Sequence, residues 1–254
     1  MIKNQVIGIM GAMPEEINGI VPLLSDVTKK TFGKRDYFTG FVNEKKFVVV
    51  FSRWGKVAAA TTATTLIHEF GVNEILFTGV AGAIHSDLNI GDVVVGKRFI
   101  QHDLDGRPLM QKFEIPLLNE TYLSSATERV DLAEKCVHQV LNDQRLHLLF
   151  TEKQLNTFNI HHPKVYQGDI ASGDQFISSD VKRDQITKEL PEVLCVEMEG
   201  ASVAQVCFEY NIPLIVIRTI SDVADAHSAI DFPSFIKEIS STYSVEFIKQ
   251  IFNI

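Results

Sequence analysis

Two acidic stretches stand out as places where chemistry could be done. Val196-Glu197-Met198-Glu199-Gly200-Ala201 is followed downstream by Arg218-Thr219-Ile220-Ser221-Asp222-Val223-Ala224-Asp225. Between them come a helical pattern over 202–210, a turn at Asn211-Ile212-Pro213 and an apolar run over 214–217. That order reads as strand end, helix, turn, strand, with carboxylates emerging where both strands finish. In an open α/β sheet, such strand ends converge on one ligand pocket. The expectation is an enzyme.

A third acidic stretch lies near the start. The run 6–10 reads as a buried strand, broken at Gly11-Ala12-Met13-Pro14, and Pro14 suits the first turn of a helix. Glu15 and Glu16 then fall where a helix dipole favours negative charge. Neighbouring helix positions point about 100° apart, so at most one of the two can face a pocket; ordinary helix-start charge is the alternative for both.

The elements needed to position these groups follow in alternation. Segments 38–42 and 46–52 read as a hairpin turning at Asn43-Glu44, followed by the loop Arg53-Trp54-Gly55-Lys56 and an Ala/Thr-rich helix over 57–70. Trp54, the single tryptophan, is either a pocket wall or core packing. A short strand over 74–78 leads into a turn, Gly79-Val80-Ala81-Gly82-Ala83, whose small residues would let a ligand approach the backbone. The spacing is not that of a phosphate-gripping loop. Strands are expected over 91–100 and 164–171, and a helix over 121–141. Segment 101–118 is irregular and amphipathic, suited to a lid or a dimer contact. Its His102-Asp103 pair lacks a second ligand cluster, so no metal site is expected. In Ser172-Gly173-Asp174-Gln175-Phe176-Ile177-Ser178, the Phe-Ile pair offers a flat apolar surface for a planar ligand, or simple burial under the next helix. Phe232, Phe235, Ile236, Ile239 and Tyr243 recur at helical spacing, and Phe232 can also reach the pocket from the loop before it. Alternating strands and helices give the α/β class.

Bulk properties exclude several functions. The 254 residues are 45% hydrophobic and 22% charged, with no linker-like stretch, which is read as one domain spanning 1–254. A net charge of -8 speaks against nucleic-acid binding. Cys136, Cys195 and Cys207 form no CxxC pair and read as buried thiols in a reducing compartment. The opening Met1-Ile2-Lys3-Asn4-Gln5 lacks a secretory signal, and no apolar run is long enough for a bilayer, so a soluble cytoplasmic protein is expected, with no membrane partner.

Four motifs, in order, carry a resemblance. Gly11-Ala12-Met13-Pro14-Glu15-Glu16, Ser172-Gly173-Asp174-Gln175-Phe176-Ile177, Val196-Glu197-Met198-Glu199-Gly200 and Ile220-Ser221-Asp222-Val223-Ala224-Asp225 closely resemble those of the 5′-methylthioadenosine/S-adenosylhomocysteine nucleosidases. These belong to the purine nucleoside phosphorylase/uridine phosphorylase superfamily. The likeness extends to Gly55-Lys56-Val57-Ala58-Ala59-Ala60 and Gly79-Val80-Ala81-Gly82. It implies a three-layer α/β/α fold on a central mixed sheet and a homodimer without metal or organic cofactor. The substrates would be a 5′-thio-substituted adenosine and water.

The resemblance also implies roles. Asp222 matches the aspartate that protonates purine N7, so it must carry or relay a proton near neutral pH, which burial would favour; Ser221 orients it. Glu16 matches the glutamate that activates water and must be ionised, helped by its place at a helix start. Glu199 matches the acceptor of the ribose hydroxyls. Phe176 would stack on the purine, Ile177 would offer backbone to its edge and Met198 would lie under the sugar. Met13, Trp54 and Phe232 would line the sugar and alkylthio side, with Ala81 and Gly82 close to substrate. Glu197 and Arg218 carry over as supporting residues bordering the site. Two departures are visible. Val80 stands where phosphorylases have a phosphate-holding hydroxyl, which favours water, and Trp54 stands where a small aliphatic residue is common, narrowing the 5′ side.

Overall fold

The computed structural model describes residues 5–224 and 228–254. Asp225, Met1 to Asn4 and the centre of the loop before Phe232 lie outside the described residues. The chain runs β1 (Val6–Gly11), β2 (Ser25–Phe32), β3 (Arg35–Val42), β4 (Lys45–Phe51), α1 (Lys56–Phe70), β5 (Glu74–Ala83), β6 (Val93–Gln101) and β7 (Leu123–Ser124). It continues with α2 (Thr127–Val140), α3 (Asp143–Leu149), α4 (Glu152–Thr157), β8 (Val165–Ser172), α5 (Asp180–Glu189), β9 (Val193–Glu197), α6 (Gly200–Tyr210), β10 (Leu214–Asp222), α7 (Ser228–Phe235) and α8 (Ser241–Phe252). This is the expected α/β/α arrangement on one mixed sheet.

Side-chain alternation along the strands makes the three layers. Ile7, Ile9, Phe47, Val49, Leu76, Ile215 and Ile217 face one side and pack on α2 and α8. Met10, Val48, Val50, Ile75, Phe77 and Val216 face the other and pack on α1 and α6. Central strands buried on both faces must be apolar throughout, as these are. Alanines on α1 (Ala59, Ala63) and α6 (Ala201, Ala204) let both helices seat closely on the sheet. The Thr-rich half of α1 satisfies its hydroxyls internally: Thr61, Thr62, Thr64 and Thr65 each donate to the carbonyl four residues back.

The strand order is β10-β6-β8-β9-β5-β1-β4-β3-β2, and β10 also pairs with β5. Five strands therefore close on themselves, while β1, β4, β3 and β2 extend as an open wing. Within the ring, β5 runs parallel to β10 but antiparallel to β9, meeting it only through Gly82–Val196 and Ala83–Cys195. Strands arriving from opposite directions thus end at one place. That convergence positions the site.

The structure corrects several boundaries. β5 does not stop at Thr78: Gly79 to Gly82 continue it against β10, and Gly82 and Ala83 pair with β9, so that backbone pairs with strands instead of forming an open turn. Pro14 opens a three-residue 3-10 turn, not a helix. α2 starts at Thr127 because β7 occupies part of the expected helix. Segment 101–118 folds on itself through bridges Asp105–Lys112 and Ile115–Glu120, and Phe113 and Ile115 are buried. Leu109 and Leu117 project to the surface. Among the described residues, no helix is long and apolar enough to cross a membrane.

Candidate active site

A cavity of about 380 Å³ lies at the converging strand ends. The turn after β1 supplies Ala12, Met13 and Glu16; the loop after β4 supplies Trp54; β5 supplies Gly79 to Gly82. Gln175, Phe176 and Ile177 enter after β8, Val196 and Glu197 on β9 with Met198 and Glu199 just past it, Arg218, Ser221 and Asp222 on β10, and Phe232 on α7. Every residue singled out for substrate or catalysis borders this one space.

Glu16 is almost completely buried, while Glu15 is exposed, so one of the pair does face the pocket. Glu16 Oε2 accepts from the N–H groups of Ala12 at 2.5 Å and Met13 at 3.0 Å. A three-residue turn provides little helix dipole, and what favours the ionised form there is its two N–H groups. Burial dominates and pushes the carboxyl up to about 7, against the pull of Arg218 and the two N–H groups.

Asp222 stands at the end of β10. Its Oδ2 accepts from Ser221 Oγ at 2.8 Å, and its Oδ1 accepts from Ala224 N at 2.9 Å. The small residues of β5 owe their identity to these carboxylates. A β-carbon on Gly79 would stand 2.9 Å from Glu16 Oε1, and one on Gly82 would stand 2.9 Å from Asp222 Oδ1. Either substitution would displace an acid, so glycine is required for close approach.

Glu197 and Glu199 lie two residues apart and differ completely. Glu197 receives Ser172 Oγ, both Glu199 N and Gly200 N, and two donors of Arg218, Nε at 3.1 Å and Nη2 at 2.7 Å. Arg218 Nη1 points to the carbonyls of Phe77 and Ile217, each at 3.3 Å, and its guanidinium lies 4.1 Å over the Phe77 ring. Glu197 therefore borders the cavity but has no acceptor to spare for a substrate. Glu199, at the N-cap of α6, accepts from Gly55 N at 2.8 Å. Burial, reinforced by the negative charge of Glu197, holds its carboxyl well above the usual range.

The apolar wall is less enclosed. Phe176 and Phe232 meet edge to face at 5.6 Å, Ile177 is buried behind them, and Trp54 is 60% exposed at the mouth. Met13 and Met198 are partly buried along the lining. Two contributors were missed by sequence reasoning. Ser172 bridges Glu197 and Ala201 N, and Gly55 supplies the N–H to Glu199. A glycine just ahead of a helix start was the available signal for the second. Among the described residues, no three His, Cys, Asp or Glu side chains gather as a metal would need.

Comparison with known proteins agrees with this geometry. Residues 6–252 match the model of the phosphorylase superfamily. An aminodeoxyfutalosine nucleosidase of Helicobacter pylori is 35% identical over 97% of each chain. A 5′-methylthioadenosine/S-adenosylhomocysteine nucleosidase of Staphylococcus aureus is 34% identical over 95% of this chain and 97% of its own. Among solved structures, a mutant Helicobacter pylori nucleosidase with 5′-methylthioadenosine in its active site superposes with TM-score 0.85, at 32% identity over 99% of both chains. The chain belongs to the phosphorylase superfamily, among its N-glycosyl-hydrolysing nucleosidases.

Proposed function

We propose that the protein hydrolyses the N-glycosidic bond of 5′-methylthioadenosine and S-adenosylhomocysteine, releasing adenine and the 5′-thioribose. Breaking this bond builds positive charge on the sugar and negative charge on the departing purine. Asp222, held by Ser221, delivers a proton to purine N7. Glu16 removes a proton from the attacking water, and Glu199 accepts the ribose hydroxyls. Phe176 stacks on the base, Ile177 offers its backbone to the base edge, and Met198 underlies the sugar. Met13, Trp54 and Phe232 line the thioether side, while Ala81 and Gly82 let the nucleoside approach β5.

One observation carries the choice of water over phosphate as nucleophile. Arg218 is the one basic side chain among the described residues bordering the cavity, and its donors go to Glu197 and two carbonyls. A phosphate dianion would face several carboxylates with no free cation. The names of the relatives support both a methylthioadenosine and an aminodeoxyfutalosine substrate, so the latter is the second substrate to be tried. In this reading the 254 residues act as one cytoplasmic domain, working as a homodimer in methionine salvage. Adenine release from 5′-methylthioadenosine by the purified protein tests the proposal; no release from this substrate, S-adenosylhomocysteine or aminodeoxyfutalosine would sink it.

A further inference from the structure

α1 begins without a side chain to cap it. Its N-cap is Gly55, at φ 93°, a backbone region that suits glycine. The cap comes instead from a distant loop: Asp174 Oδ1 accepts from Lys56 N at 2.8 Å, and a β-carbon on Gly55 would stand 3.0 Å from that oxygen. Asp174 N donates to Asp103 Oδ2 at 2.8 Å. Asp103 Oδ1 accepts from Lys56 Nζ at 2.6 Å, and Gln101 Oε1 lies 3.1 Å from the same ammonium. The bonds close a ring through Lys56, Asp174 and Asp103. Three segments remote in sequence meet in it: the start of α1, the stretch just after β6 and the loop after β8.

Two of the joined segments lead into the cavity. Gly55, adjacent to Lys56, donates to Glu199. Asp174 precedes Gln175 and Phe176 on the apolar wall, yet neither Lys56, Asp103 nor Asp174 borders the cavity itself. The Lys56 and Asp103 side chains are 16% and 23% exposed, so their pair is partly shielded from solvent. Glu16 and Asp222, by contrast, are held by their own strand ends and take no part in the ring.

We propose that Lys56, Asp103 and Asp174 form a latch that sets the purine-stacking loop and the Gly55–Glu199 contact in one fixed relation. Lys56 is then a positioning residue that touches no substrate. The inference rests on the assignment of Phe176 to the purine and Glu199 to the ribose. Opening the latch loosens binding at both ends of the nucleoside but leaves the acid and the base in place.

The test is steady-state kinetics on 5′-methylthioadenosine, with adenine as competitive inhibitor. Lys56→Met and Asp174→Ala should each raise KM about tenfold and weaken adenine inhibition by a similar factor, with kcat within about threefold of the parent. Lys56→Arg should recover most of the loss. Because the residues close one ring, the double variant should be no worse than either single one. Unchanged KM in both single variants, or penalties that multiply in the double variant, would overturn the latch. Should Lys56→Met fail to fold, Asp174→Ala decides alone, since that side chain is 52% exposed: a raised KM supports the latch and an unchanged one overturns it. Failure of the underlying site assignment looks different. In that case the parent releases no adenine, or Phe176→Ala leaves adenine inhibition untouched.

Discussion

The floor of the cavity and its rim are built on opposite principles. On the floor, Glu197, Arg218, Ser172, Ser221 and Asp222 are nearly inaccessible and bonded mainly to one another or to nearby backbone. At the rim, Trp54 and Phe176 leave much of their aromatic surface open. A floor of bonded polar groups keeps carboxylates at fixed positions in a poorly solvated place. An exposed apolar rim holds a thioether or a purine face through contact area and tolerates variation in shape. Chemistry is therefore expected to be sensitive at the floor, and substrate range at the rim.

The floor pair gives the largest expected effect. Arg218→Ala leaves Glu197 buried without its cation and should cost about 3–5 kcal/mol of stability, read as a lowered midpoint in denaturant. A loss below about 1 kcal/mol would mean the pair is not the keystone of the floor.

Glu16 sharpens the comparison through pH. Its folded-state pKa of about 7 lies above the ordinary 4.5, so the folded protein binds this proton more tightly than the unfolded chain. That contribution to stability is fully present below pH 4.5 and is lost as pH rises through 7. Glu16→Gln cannot ionise, so relative to the parent it should gain on the order of 3 kcal/mol between pH 4 and pH 8. Hydrolysis should be absent in the same variant while nucleoside binding persists. In the parent, kcat/KM should rise with pH through an apparent pKa near 7, as a base that must be ionised requires.

Asp222→Asn should lower kcat by at least about 100-fold, the usual scale for an acid–base group. Near-parental turnover would remove it from the mechanism. The smallest stability effect belongs to the rim. Trp54→Ala should shift stability by no more than about 0.5 kcal/mol while raising KM several-fold, to a degree that depends on the 5′ substituent. Equal KM changes for methylthio and homocysteinyl substrates would break the division between floor and rim.

Much of this was legible in the sequence because the signals are local. Acidic groups just past apolar runs marked the strand ends at Glu197 and Asp222, and helical spacing marked α6 and the final helices. What stayed hidden depends on partners far along the chain. β2 is polar and exposed along nearly its whole length, an edge strand with no alternation to betray it. Gly79 to Ala83 looked like a turn because their small side chains signal close approach. What approaches is a pair of carboxylates against a continuing strand. Glu197 and Glu199 look equivalent in a row of letters; the fold brings Arg218 on β10 to one and Gly55 to the other. The short helices α3 and α4 went unread because too few residues define a period.

The most direct test of the central claim is adenine release from 5′-methylthioadenosine, followed in parallel in phosphate-free and phosphate-containing buffer. A floor whose arginine is already committed to Glu197 predicts equal release in both, with free 5′-methylthioribose as the second product. Release that requires phosphate, with a ribose 1-phosphate product, would contradict the account and take from Glu16 its role in activating water.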